Sequence, residues 1–504
     1  MKKSIVKTLS TVFIITAVAK VLGLLRDVVF ANVYGTSIEA TAYFAALKIP
    51  TQIVDIVLSS AITSTFIPVF NEVFQKEGKD KANHFASNFI NTVSMIATLL
   101  SIIGIIFAPI LVKLFASGFE GYTLELTINL VRITFPMIIF TAMAFSFVGF
   151  LQSYGEFNVP ASISGISNLA VIVFLLLFSS KVGIQGLCYF IVFAWFLQLI
   201  IQIPFAKKFG YNFKFFIDLK DQNLKKVVRL AIPILISTAV LPINNLVSMR
   251  FASSMNDGEM AALEYAYKLY VVVYGVFTYA VGNIIFPELS REGSKEDDSG
   301  FKAIINKAFK LIIFLLIPLT CGIMLYSKDI VSIIYERGNF TRESALATSG
   351  ALFYYAIGII GAGLVEIMNK SFYAKQNTKI PLKVGIVAII TNIFLCYILS
   401  KTSLGYAGLA LATALNAILN GLILLVISNV QNKGIVSRDI LINLLKVLFA
   451  SAIMIFVAWG SNSLLINHLS GGFIKDAIRI CIGAGAGAIV YFASTYLLKV
   501  KLEE

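Results

Sequence analysis

Three charged residues, Lys20, Arg26 and Asp27, stand inside an apolar run that begins near Lys7 and ends at Tyr34. On a helix with Lys20 set at zero, Asp27 falls at about 340° and Arg26 at about 240°, with Gly23 at about 300° between them. They therefore share about one third of the circumference. In the next apolar run Thr41, Lys48 and Asp55 recur every seven residues and stack on one face, and Pro50 interrupts the backbone ladder beside Lys48. Farther along, Glu264 and Lys268 form an i, i+4 pair, with Asn283 about 60° round from Lys268. Another run carries Pro242, Asn244, Asn245 and Arg250, and a later one ends with Glu366, Asn369, Lys370 and Lys375. Ammonium groups and the planar guanidinium fork are the side chains that bind phosphate or pyrophosphate. A set in which cations outnumber acids suits an anionic substrate, whereas a carrier of cationic drugs would present acids.

These positions are costly unless they serve something. A charge at the centre of a bilayer costs about 2.5–3.5 kcal/mol on the gentler insertion scale. Lys20, Lys48 and Lys268 facing lipid would together cost on the order of 8–10 kcal/mol, comparable with the net stability of a domain. They must face a hydrated interior or be paired. Pairing would join Lys20 to Asp27, Lys48 to Asp55 and Lys268 to Glu264, but it leaves basic groups in excess. Lys370 and Lys375 could also snorkel to the inner interface. For Arg132 the sequence leaves cavity and pairing equally open.

The elements that carry these residues follow from composition. The chain has 504 residues, 58% hydrophobic and 13% charged, with mean hydropathy +0.86. A soluble domain would be about a quarter charged. Apolar runs long enough to cross a hydrocarbon core recur throughout. Fourteen are read, about 7–34, 38–68, 86–114, 123–154, 158–180, 184–206, 226–254, 259–288, 303–326, 344–374, 379–400, 404–429, 440–461 and 474–498. Lipid offers the backbone no hydrogen bonds, so such runs must be helices. The fold class expected is an all-α polytopic membrane protein with about 14 transmembrane helices. The opening "MKKSIVKTLSTVFIITAVAK" imitates a secretory signal, but the apolar pattern continues past Ala19, so it reads as the first span.

Several classes of function are excluded or disfavoured. Cys188, Cys321, Cys396 and Cys481 all fall within apolar runs and read as small buried residues, while His84 and His468 stand far apart. No metal site, cofactor or catalytic residue is expected. The chain has no GxxxxGK[ST] stretch and no loop able to hold a nucleotide-binding domain, which argues against a primary ATPase. Asp297-Asp298, in "REGSKEDDSG", reads as a solvated loop rather than the metal-binding pair a membrane glycosyltransferase would need. The net charge of +14 follows topology: with the N-terminus inside, 23 Lys and Arg lie in or beside inner loops and 8 in outer ones. That bias places both termini in the cytoplasm and assigns the basic excess to anionic membrane lipids, not nucleic acid.

The chain also repeats at a separation near 220 residues. "GFLQSYGEFNVP" (149–160) is answered by "KSFYAKQNTKIP" (370–381), "SKVGIQGL" (180–187) by "SKTSLGYAGL" (400–409), and "FIPVFNE" (66–72) by "IFPELSR" (285–291). Pro, Gly and Lys landmarks at nearly one offset favour duplication over chance. Six spans per half give two parallel-repeat lobes, 1–206 and 207–429, that would enclose a midplane cavity and open it on alternate sides. Residues 430–504 add two helices, and Gly483, Gly485 and Gly487 in the last are read as allowing close packing.

The pattern "KVLGLLRDVVFANVYG…AYFAALKIP…FIPVF" (20–70), continued by "EYAYKLY" (264–270) and "SFYAKQNTKIP" (371–381), resembles the MurJ/MviN family of lipid II flippases, within the multidrug/oligosaccharidyl-lipid/polysaccharide exporter superfamily. The resemblance implies a flippase, not an enzyme, in the bacterial cytoplasmic membrane. It would carry undecaprenyl-diphosphate-linked peptidoglycan precursor from the inner to the outer leaflet by alternating access, as a monomer. Arg26, Asp27 and Lys48 match family positions, and Lys20, Lys268 and Lys375 stand where the family usually has Arg. These six are the expected substrate-binding residues, with Thr41, Asp55, Arg250, Glu264 and Asn283 lining the cavity. Thr41 replaces a common Asp, and Val54-Asp55 stands where an Arg pair is typical. A flippase for another polyprenyl-linked glycan, or a small-molecule antiporter of the same superfamily, is the alternative.

Overall fold

The structure is a computed structural model that describes residues 2–55, 65–256, 258–293, 297, 299–432, 438–466, 469 and 472–501. Seventeen helices make it up, with no strand among the described residues. Nine helices among the described residues are long and apolar enough to cross a membrane. The helices carrying the charges near Lys20, Lys48 and Lys268 are not among those nine. By contacts the chain divides into two compact units, Met1–Gly258 with Arg337–Phe340, and Glu259–Glu336 with Thr341–Glu504. A division by contacts is a different quantity from the division by sequence repeat.

Unit 1 holds α1 (Lys2–Tyr34), α2 (Ile38–Val54), α3 (Ile67–Glu77), α4 (Lys79–Ile106), α5 (Ala108–Phe115), α6 (Gly121–Thr134), α7 (Met137–Ser153), α8 (Asn158–Lys208), α9 (Gln222–Thr238) and α10 (Val240–Ala252). Proline marks several of its joints: Pro68 and Pro109 open α3 and α5, and Pro136 sits between α6 and α7. At 51 residues α8 is far too long for one crossing, since a straight helix of that length would reach about 77 Å. Gly183, with φ 61° and ψ −165°, breaks it into two spans. That left-handed φ favours a residue without Cβ. Helix α1 packs along α8, where Gly165 lies against Ala19 and Leu22. Phe66, Phe70, Phe85, Phe89, Phe150 and Tyr154 form one aromatic cluster joining the "FIPVF" and "GFLQSY" landmarks. The unit also takes in residues 337–340, where the Asn339 amide donates to the Asn32 carbonyl (2.9 Å).

Unit 2 holds α11 (Glu259–Glu292), α12 (Ser299–Tyr335), α13 (Arg342–Ala374), α14 (Lys379–Leu399), α15 (Tyr406–Asn432), α16 (Arg438–Leu465) and α17 (Phe473–Leu497). Helix α13 is its centre, packed by α11, α12 and α15. Its seam with α15 depends on small residues: a Cβ on Gly361 would fall 2.4 Å from the Ile418 nitrogen, and one on Gly358 2.8 Å from the Ala414 Cα. In lipid, where apolar side chains gain nothing by leaving their solvent, such close backbone approach is what holds helices together. The last two helices dock on α12 through Tyr326, which donates to the Ala458 carbonyl (3.1 Å), and Tyr491, which donates to that of Phe314 (2.6 Å). Gly483 and Gly487 face Tyr326 and Ala458, respectively, whereas Gly485 has nothing near it.

Candidate functional site

In unit 1 the structure brings Arg26 and Asp27 together and adds a partner that the sequence did not reveal. Asp27 is buried, and its Oδ1 accepts from Arg26 Nη2 (2.9 Å) and Nε (3.3 Å). Arg26 Nη1 donates to Asn168 Oδ1 on α8 (3.0 Å), and Asn168 Nδ2 in turn donates to the Ala19 carbonyl (3.3 Å). Gly23 keeps this arrangement open, because a Cβ there would sit 3.2 Å from Asn168 Nδ2. Three donors of the guanidinium fork are thus oriented from two helices, with 34% of the side chain exposed. The clue available was an Asn within an apolar run. Lys20 is exposed, at the edge of the face by which α1 meets α8.

On α2 the face shared by Thr41, Lys48 and Asp55 grades from buried, through half-buried, to exposed. The Thr41 hydroxyl makes no hydrogen bond among the described residues. Pro50 has no N–H, so the carbonyl of Ala46, four residues back, loses its helical donor. Thr134 of α6, fully buried, supplies the replacement: its Oγ1 donates to that carbonyl at 2.9 Å. Thr51 Oγ1 bonds the carbonyls of Leu47 (2.8 Å) and Lys48 (3.0 Å), so the bend beside Lys48 is held from within and from without. Asn245 of α10 donates to Gln52 Oε1 (3.1 Å). Arg250, also on α10, is exposed and donates to the Leu114 carbonyl near the end of α5, where a cation meets the negative helix terminus.

In unit 2, Glu264 and Lys268 are both half-buried on α11. Tyrosines surround them: Tyr265 packs on Tyr335 (5.1 Å between centroids), and Tyr267 and Tyr270 each lie 5.6 Å from Tyr355 of α13. The pattern "EYAYKLY" contained Tyr265, Tyr267 and Tyr270, but not the Tyr335 and Tyr355 they meet. Lys375 caps the end of α13 with its Nζ 4.5 Å from the centre of the Phe301 ring. Lys370 pairs with Glu366 (3.2 Å). The side chain of Asn283 lies outside the described residues. Two buried cations escaped sequence reading, Lys310 on α12 and Arg479 on α17. Arg479 pairs with Asp329 (2.7 Å) and Asp476 (3.3 Å), a structural tie between α17 and α12. No group of His, Cys, Asp and Glu able to hold a metal exists among the described residues.

Helices long and apolar enough to cross a membrane recur in both units, which is the architecture of a polytopic membrane protein. The fold agrees: it superposes on an inward-facing multidrug resistance MATE transporter of the MOP superfamily with TM-score 0.69 and 14% identity, over 83% of this chain and 95% of that one. The sequence matches the family described as "Lipid II flippase MurJ" over residues 30–477, and the chain belongs to that family. A solved structure titled as the lipid II flippase MurJ in an inward closed conformation matches with TM-score 0.81 and 28% identity, over 96% of this chain and 98% of that one. Among curated relatives, the probable lipid II flippase MurJ of Buchnera aphidicola subsp. Schizaphis graminum is 27% identical over 99% of this chain and 98% of its own length. That of Vibrio cholerae is 27% identical over 100% and 98%. That of Rickettsia prowazekii is 29% identical over 96% of each.

Proposed function

We propose that this multi-pass membrane protein is a lipid II flippase, a transporter rather than an enzyme. It moves undecaprenyl-diphosphate-linked peptidoglycan precursor from the inner to the outer leaflet of the bacterial cytoplasmic membrane by alternating access. The observation that carries the reading is family membership along nearly the whole chain, joined to a guanidinium oriented by Asp27 and Asn168 on a membrane helix. Fourteen crossings leave both termini in the cytoplasm, and the two sequence halves act as the moving lobes. Lys20, Arg26, Lys48, Lys268 and Lys375 serve the diphosphate, with Asp27 orienting Arg26. Thr41, Asp55, Arg250, Glu264 and Asn283 line the hydrated path of the substrate. The protein works as a monomer, its inner loops against anionic lipids.

The chemistry is electrostatic. A diphosphate entering low dielectric needs compensating charge, and the fork geometry of Arg26 supplies two parallel donors where a lysine supplies a point charge. Depletion of the protein in its host tests the assignment. Lipid II should accumulate on the inner leaflet, and re-expression of the wild-type chain, but not of a Lys48→Ala variant of equal abundance, should clear it. A normal leaflet distribution on depletion overturns the substrate assignment.

A further inference from the structure

The segment joining α8 to α9, residues 209–221, is strapped to α4 by side chains on successive turns. Asn83 donates to the Gly210 carbonyl (3.0 Å), Ser87 to that of Asn212 (3.3 Å), and Asn91 to those of Lys214 (2.7 Å) and Phe216 (3.0 Å). Asn88 donates to the Asp218 carbonyl (2.9 Å) and accepts from the Asp218 amide (2.8 Å). The His84 ring stacks on Phe216 at 4.2 Å. Followed along α4, the strap climbs from Asn83 to Asn91, about 12 Å, and then turns back to Asn88. Its turning point, Lys214–Phe216, is the part nearest Ile96, where α4 begins to expose the apolar side chains of Leu99, Ile102 and Ile103.

At and beside that turning point two aromatic side chains face outward. Phe215 is 80% exposed and Phe213 60%. Phe213 and Phe215 thus leave most of their surface outside the packing of unit 1. The charges are equally one-sided. Residues 207–226 contain six lysines and two aspartates. Both aspartates are committed to shaping the loop, Asp218 Oδ1 accepting from the Lys220 amide (2.8 Å) and Asp221 capping α9 by accepting from the Asn223 amide (2.8 Å). Lys226 pairs with Glu72. Lys207, Lys208, Lys214, Lys220 and Lys225 are left exposed.

Exposed phenylalanines at the end of a rigid loop, flanked by lysines and level with the start of an apolar helix face, have the composition of an interfacial membrane anchor. We infer that residues 209–221 form a docking loop for the cytoplasmic leaflet: Phe213 and Phe215 enter the boundary between headgroups and acyl chains, and the lysines bind anionic phosphate headgroups. The occupant is the bilayer surface itself. The inference rests on the inner location proposed for this loop, not on which lipid is transported.

The test uses the full chain in a Trp195→Phe, Trp459→Phe background, with Phe215→Trp as reporter, reconstituted in phosphatidylcholine vesicles with or without phosphatidylglycerol. Lipids brominated near the headgroup should quench the reporter by about half, as expected for a ring seated roughly 5–10 Å into the interface. Asn212→Trp should keep the emission of an indole in water. Phosphatidylglycerol should deepen the quenching, and Lys214→Gln with Lys220→Gln should abolish that increment. A reporter at 215 that stays unquenched in both lipid mixtures overturns the docking loop. Quenching indifferent to phosphatidylglycerol overturns its anionic preference. Because the signal is read without turnover, failure of the lipid II assignment leaves it unaffected.

Discussion

Arg26 shows how one side chain is held in a fixed orientation. A lone arginine on a membrane helix would sweep a wide arc; here Asp27 and Asn168 hold three of its donors. Asn168→Leu removes one charge-assisted hydrogen bond, and flipping of fluorescent lipid II in proteoliposomes should slow about tenfold. Arg26→Lys should slow it further, since the ammonium cannot reproduce the fork. An Asn168→Leu variant as active as wild type would show that the fork needs no second helix to aim it. Sequence alone placed Arg26 and Asp27 on one helix face, because helical periodicity is local. It could not supply Asn168, which lies 142 residues away from Arg26 and meets it only when α1 packs on α8.

The bend of α2 is held by a substitution of donors. Pro50 orphans the Ala46 carbonyl, and Thr134 fills the vacancy. Thr134→Val keeps the shape and removes the hydroxyl, so it should destabilise unit 1 by about 1–3 kcal/mol, the cost of a buried unsatisfied carbonyl. Thermal unfolding in detergent measures this; Thr134→Ser should restore most of the loss. Another tie joins α3 to α9 outside the membrane. Lys226 and Lys76 hydrogen-bond the Glu72 carboxylate and hold its pKa down to about 2, from an ordinary 4.5. A depressed carboxylate pKa stabilises the fold fully above the ordinary value and loses that contribution as pH falls through the lowered one. The melting difference between wild type and Glu72→Gln should therefore be constant from neutral pH to about pH 5 and shrink toward pH 2. The pair is solvent-accessible, so the difference is small.

For the transport cycle the relevant quantity is the summed charge of the carrier. In the proposed cycle an empty cationic site moving outward works against an inside-negative potential of up to about 2.3 kcal/mol per charge per 100 mV, whereas a diphosphate neutralises it. An imposed inside-negative potential should accelerate return of the empty carrier and raise multiple-turnover flipping by several-fold. Single-turnover flipping should change little. Rates indifferent to potential in both assays would remove charge compensation from the mechanism.

Much of the architecture was legible in the sequence. Apolar length dictates membrane helices, because lipid leaves the backbone no other partner, and the seven-residue spacing of Thr41, Lys48 and Asp55 survives as a face graded from buried to exposed. The gap read between 158–180 and 184–206 coincides with the break at Gly183, whereas the joint at Pro136 falls inside the run read as 123–154. The tertiary structure alone decided how charges are satisfied. Arg479, which no pattern in the sequence set apart, is buried against Asp329, 150 residues away. The asparagines of α4, on which the sequence pattern was silent, bind a loop more than 120 residues downstream. Periodicity and hydropathy report which face of a helix is apolar and how long it is. The partner of a polar group is set by which helices pack together, and that is decided by the whole chain.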